Sequence, residues 1–174
     1  MRNVRKMEYG FLFTCILCDL VVQSLWTQLS APIEFVSQMS FMGLILSIRN
    51  DEVKEYGLRF LVLCLIMNLF HYDSYPVYLL SFGISVVIVK YWYRHIGSSF
   101  IEWLVIMTLA LFIREFVMYL GLVMFHNYVG SFMFFMAKRG VWVILINLLL
   151  FKFVMNIRSF FHGLLIKRTR RDFQ

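Results

Sequence analysis

Charge is scarce in this chain: Asp, Glu, Lys and Arg make up 16% of its 174 residues, while 61% are hydrophobic and 18% aromatic. A soluble domain is usually about 45–50% apolar, so an ordinary soluble fold is excluded, because it cannot hide so much apolar surface. Cysteine is also rare. Cys15, Cys18 and Cys64 all stand inside apolar runs, where thiols behave as small hydrophobes, and no disulfide framework is implied. Cys15 and Cys18 form a C-x-x-C on an expected helix, but it lacks the second pair or nearby histidine that a metal site requires. With only three alanines in the chain, no small-residue cleavage site follows the first apolar stretch, which is expected to stay as a span and not act as a signal peptide.

Catalytic signatures are missing as well. No G-x-S-x-G, P-loop, paired-carboxylate or glycine-rich phosphate motif occurs. His71, His95, His126 and His162 fall at the ends of apolar stretches without ligand spacing. The expectation is therefore a non-enzyme with no catalytic residues, no cofactor and no metal.

What the chain does have is basic residues in a pattern. Seventeen Lys and Arg against ten Asp and Glu give a formal net charge of +7. Thirteen of the seventeen lie in four clusters: Arg2, Arg5 and Lys6; Arg49, Lys54 and Arg59; Lys90 and Arg94; and Arg158, Lys167, Arg168, Arg170 and Arg171. Apolar stretches separate the clusters, as expected when positive residues are retained on the cytoplasmic side of successive spans. A nucleic-acid surface would not be interrupted in this way, so no nucleic-acid partner is expected.

About 20 apolar residues in a helix cross the roughly 30 Å of bilayer hydrocarbon. Six stretches qualify or nearly qualify: Met7–Trp26, Ile33–Ile48, Leu58–Phe70, Val77–Tyr93, Phe100–Phe125 and Val141–Ile157. The second and third are short; the third would rise only about 20 Å as a helix. They either form a hairpin that thins the membrane or borrow Tyr56 and Tyr72 as interfacial ends; if neither crosses, four spans remain. The connections Thr27 to Glu34 and His71 to Pro76 hold no Lys or Arg, whereas Arg49 to Arg59 holds three and Lys90 to Ser99 two. The basic side is read as cytoplasmic, with both termini on it. Lys138 and Arg139 violate the rule on the opposite side. Trp26, Tyr72, Tyr75, Tyr128 and Trp142 fall at the expected outer boundaries, and Tyr9, Tyr91, Trp92, Tyr93 and Trp103 at the inner ones, the depth amphipathic rings favour.

The expected architecture is thus an all-α integral membrane protein, a compact bundle of about six transmembrane helices with both ends inside. Residues 1–157 form the six-span domain and residues 158–174 a basic amphipathic cytoplasmic tail.

Polar residues inside such spans are costly and need partners. Arg114 and Glu115 stand near the middle of the fifth span, about 20 Å from its ends. Being adjacent, they point about 100° apart, which predicts different partners. They are either a structural lock between helices or a proton or ligand relay. Asp19 in the first span and Asn68 near the end of the third are placed to pair with them, and Asp19 with Arg114 is the expected pair. Lys152 is close enough to the cytoplasmic end to snorkel out of the hydrocarbon.

Two further segments suggest association. Phe132, Met133, Phe134, Phe135 and Met136 are expected in the outer loop after the fifth span, as a flexible apolar surface for a partner or for the lipid interface. In the tail, Phe160, Phe161, Leu164 and Leu165 accompany Arg158, Lys167, Arg168, Arg170 and Arg171. That combination suits an anionic inner leaflet.

From Phe60 onward the order of features resembles the MreD family, the small membrane subunit of the bacterial rod-shape complex. The shared features are an apolar third span running through Cys64 to Asn68 with a short loop at His71 to Pro76, a fourth span closing on aromatics and a basic residue, and a fifth span with a central acid, Glu115, followed by Tyr119. Length and the basic tail also fit. The family commonly has Gly then Asp where this chain has Cys64 and Asn68. The resemblance implies a six-helix fold similar to the substrate-binding subunits of energy-coupling-factor vitamin transporters. It implies a scaffold in the bacterial plasma membrane that holds MreC and, through it, a penicillin-binding protein and the elongation glycosyltransferase, with MreB filaments on the cytoplasmic side. A vitamin-binding transport subunit is the rival expectation.

Overall fold

The computed structural model describes residues 2–28, 33–48, 57–59, 61–63, 66, 75–92, 99–126 and 128–172, and all regular structure among them is helical. In chain order the elements are α1 (Arg2–Gln28), α2 (Met39–Ile48), α3 (Tyr75–Trp92), α4 (Phe100–His126), α5 (Phe132–Phe135), a π turn (Met136–Gly140) and α6 (Val141–Asp172). Residues 57–59, 61–63 and 66 also have helical backbone, so most of the expected third span, Asn68 included, lies outside the described residues.

Among the described residues, three helical stretches are long and apolar enough to cross a membrane: Met7–Gln28, Phe100–Phe125 and Phe132–Leu164. Met39–Ile48 and Leu79–Trp92 are shorter apolar helices. α4 follows the expected fifth span closely, and α3 the fourth. The second and sixth depart from expectation, each for a physical reason.

The second stretch is expected as a helix from Ile33, but the helix starts at Met39 and residues 34–38 carry no regular structure. Every residue of α2 is buried, so this ten-residue helix is the centre of the core and not a lipid-facing span. It packs on α1, α3 and α6. It runs antiparallel to α1, with Ser40 against Asp19 and Gly43 against Cys15 and Phe11.

The sixth stretch starts earlier and ends later than expected. The segment expected as an outer loop is helical from Phe132, where the Ser131 side chain accepts a hydrogen bond from Phe134 N at 3.3 Å and caps α5. The helical path continues to Asp172, across the expected boundary between span and tail at 157 and 158. Inward positions along it are Phe135, Gly140, Val143, Asn147, Phe151 and Val154. The only five-residue step falls across the π turn, as a wider i to i+5 ring demands. A β-carbon at Gly140 would meet the Met136 sulfur, so the Met136 side chain packs against the bare backbone there.

α1 and α6 are antiparallel neighbours. Phe161 meets Phe11 edge-on with ring centroids 6.3 Å apart and lies over Gly10. The start of α1 and the end of α6 are thereby at one end of the bundle.

Candidate functional site

Among the described residues, two buried polar clusters join separate helices. The first forms where α2 begins. An unbonded helix N-terminus presents free N–H groups and a partial positive charge, and here the α1 carboxylate of Asp19 supplies the cap. Met39 N donates to its Oδ1 at 2.7 Å and Ser40 N to its Oδ2 at 2.8 Å. Ser37 Oγ donates to Oδ1 at 2.5 Å and Ser40 Oγ to Oδ2. Asp19 therefore does not pair with Arg114, contrary to the sequence expectation. An acid inside a helix bundle can be answered by backbone amides as well as by a cation.

Residues 33–38 enter the core without regular structure of their own, and buried backbone groups need partners. Side chains of α1 and α6 answer five of them. Trp26 Nε1 donates to Ile33 O at 3.3 Å, Gln23 Nε2 to Phe35 O at 3.4 Å, and Ser37 N to Gln23 Oε1 at 3.3 Å. From α6, Asn147 accepts from Gln38 N at 2.7 Å and donates to Val36 O at 3.0 Å. Asn147 also donates to Val143 O one turn back, at 2.7 Å. Gln38 is fully buried, and its side-chain amide has no hydrogen-bond partner among the described residues.

The second cluster centres on Glu115. Arg114 Nη1 donates to Glu115 Oε1 at 2.6 Å, with both side chains fully buried. Arg139 Nε, from the π turn, donates to Oε2 at 3.2 Å. Adjacent residues were expected to seek different partners, but the 100° offset fixes only the Cβ directions, and the long guanidinium stem bends back along α4. The Arg114 guanidinium also lies over the rings of Phe82, 5.0 Å from its centroid, and Phe41, at 5.9 Å. Such faces are favourable for a cation. The cluster thus ties α4 to α2, α3 and the π turn.

Tyr119, one turn beyond Glu115, donates its hydroxyl to Gly130 O at 3.2 Å. Its ring packs on Phe132, Phe135 and Tyr128 with centroids 5.2, 5.5 and 6.1 Å away, so it holds the turn between α4 and α5. Of the expected partner-binding segment, Phe135 is buried in this aromatic group and Phe132 and Met136 are half-buried, while Met133 and Phe134 face outward. Arg158 is half-buried on α6; Lys167, Arg168, Arg170 and Arg171 lie on its last turns, and their side chains are outside the described residues.

Sequence reasoning missed Asn147, Gln38, Gln23 and the two serines, and it treated Arg139 as an exception to the charge rule. Asn147 gave a signal, being the only amide within an otherwise apolar stretch of α6 from Val141 to Phe151. Arg139 gave none, because its inward turn depends on the π geometry. Among the described residues, no group of three or more His, Cys, Asp or Glu is placed to hold a metal ion.

No family model, curated protein or solved structure matches the chain.

Proposed function

We propose that this protein is a non-enzymatic membrane scaffold of the MreD type. It has six spans in the bacterial plasma membrane with both termini cytoplasmic, and it holds the transmembrane helix of an MreC-like partner. Through that partner it gathers a penicillin-binding protein and an elongation glycosyltransferase, with MreB filaments beneath the membrane. The observation that carries the reading is the engagement of Asp19, Asn147 and Glu115 within the fold. Asp19 caps α2, Asn147 holds residues 33–38, and Glu115 joins α4 to the π turn. Residues so engaged build a rigid bundle, and they leave apolar surface as the means of association.

The apolar surface best suited to a partner is the end where α4 turns into α5. Met124, Phe125, Val129, Met133 and Phe134 are all exposed there, Val129 at 97% and Met133 at 78%. Helix association in lipid proceeds by packing and a few polar bonds, each of about 0.6–2 kcal/mol, and this end offers packing surface without internal obligations. Glu115 and Tyr119, the residues that carry the family resemblance, support the end from inside.

The test is a mild-detergent pull-down with identification of everything recovered. The expected result is a single-span coiled-coil protein together with a penicillin-binding protein, and loss of both from Met133→Ser/Phe134→Ser. Both side chains are exposed, so the variant should keep the melting temperature of the parent.

A second reading, a substrate-binding subunit of a vitamin transporter, is favoured by the buried amide of Gln38. A polar cavity of about 270 Å3 lined by Trp26, Thr27, Glu34 and Arg139 also favours it. Recovery of a small heterocycle with an energising module, in place of the single-span partner, would select it.

A further inference from the structure

A cavity of about 270 Å3 lies where three elements meet. The last turn of α1 gives it Trp26 and Thr27, the segment without regular structure gives Ile33, Glu34 and Val36, and the π turn gives Arg139. Trp26 joins the first two elements by donating to Ile33 O. The ion pair of Lys138 with Glu34, at 2.8 Å, ties the second to the third.

Arg139 carries the chemistry of this cavity. Its Nε is committed to Glu115 Oε2, and that bond restrains the guanidinium. Among the described residues Nη1 and Nη2 have no hydrogen-bond partner, and neither is sealed from solvent. A guanidinium held through Nε still offers its end, where two parallel N–H groups match the two oxygens of one planar carboxylate.

Charge and size narrow the ligand. Glu115 is divided between Arg139 and Arg114, and Glu34 is answered by Lys138, so the charge left over on the wall is that of Arg139. One negative charge complements it, whereas a dianion such as a phosphate monoester would also meet Glu34. An apolar cavity of about 150 Å3 takes a benzene ring. The larger space here holds one ring, or a short aliphatic body, together with its carboxylate.

We infer that this cavity binds a small organic monocarboxylate, with its oxygens on Arg139 Nη1 and Nη2 and its apolar body against Trp26, Ile33 and Val36. This gives the cavity that favours the transport reading a class of ligand, and it rests neither on transport nor on a partner helix.

Fluorine NMR of the full chain in mild detergent tests it, with fluorobenzoate, the neutral fluorobenzamide and the dianionic fluorophenyl phosphate as probes near neutral pH. The expected result is one saturable site for fluorobenzoate, with the other two weaker by about tenfold or more, as loss of a charge-assisted pair entails. Arg139→Gln should remove the preference for the acid over the amide. Thr27→Trp fills the cavity from an exposed position of α1 and leaves Arg139 on Glu115. It should abolish saturable binding, and it decides the matter if Arg139→Gln fails to fold. Absence of a saturable site in the parent, equal or tighter binding of the amide or the phosphate, or unchanged binding by Thr27→Trp overturns the inference. The pull-down reads the scaffold and this titration reads the cavity, so each can fail alone.

Discussion

Arg139 donates its Nε hydrogen to Glu115 Oε2 across 3.2 Å, joining the π turn to the middle of α4 over 24 residues of chain. Because Glu115 already holds Arg114 through its other oxygen, one carboxylate answers two guanidinium groups. Removing it should therefore cost more than removing either partner.

Glu115→Gln is expected to lower stability by about 3–5 kcal/mol, the range for a buried charge left without its counter-charge. Arg139→Gln should cost less, since its side chain is 15% exposed and reaches water. In thermal unfolding in detergent, the double variant should lie close to Glu115→Gln alone, because the two residues share one interaction. Additive losses would show that the two act independently.

The Asp19 geometry predicts failure of a charge exchange. Asp19→Arg combined with Arg114→Asp should not recover the stability lost by either single change, since an arginine at position 19 cannot accept the backbone N–H bonds of Met39 and Ser40. Asp19→Asn keeps one acceptor oxygen and should cost about 1–3 kcal/mol. Recovery in the exchanged pair would indicate that the α2 cap is not what Asp19 provides.

Asn147→Leu should free residues 33–38 more than it disturbs α6. The amide of Gln38 loses its acceptor and the carbonyl of Val36 its donor. Hydrogen exchange is the direct measurement, with faster exchange expected at Gln38 and unchanged exchange at Leu148 to Val154.

Gln38→Met should be neutral or stabilising, by up to about 1 kcal/mol. It removes a buried amide that has no partner among the described residues and keeps the side chain's length, and an unanswered polar group carries its full desolvation cost. A clear fall in melting temperature would mean that this amide is answered by something bound beside it.

Gly121→Ala should destabilise the contact between α3 and α4. A β-carbon at 121 meets both methyl groups of Val77, and a β-branched side chain so close to its own backbone has little room to move. The expected loss is about 1–3 kcal/mol, typical of overpacking, and Gly121→Ala/Val77→Ala should restore most of it.

The sequence by itself determined the all-helical character of the described residues and much of their framework. α4 runs over Phe100–His126 against an expected Phe100–Phe125, and α3 over Tyr75–Trp92 against Val77–Tyr93. The first and fifth apolar stretches correspond to helices long enough to cross a membrane, and Phe132–Leu164 contains the sixth. These features are legible because hydropathy sums over neighbouring residues and is unaffected by what lies across the bundle. The need for partners at Asp19, Arg114 and Glu115 was legible for the same reason.

Which partners they take was decided only by the tertiary structure. Asp19 finds the start of a helix 20 residues on, Asn147 finds backbone more than 100 residues back, and Arg139 turns inward because a π turn rotates it there. The second stretch has the apolar length of a helix from Ile33, yet its first residues carry no regular structure. Gln23, Trp26 and Asn147 answer their backbone groups from other helices. A hydrogen bond depends on the position and direction of two groups, and for groups far apart in the chain, only the packing of the helices that carry them fixes both.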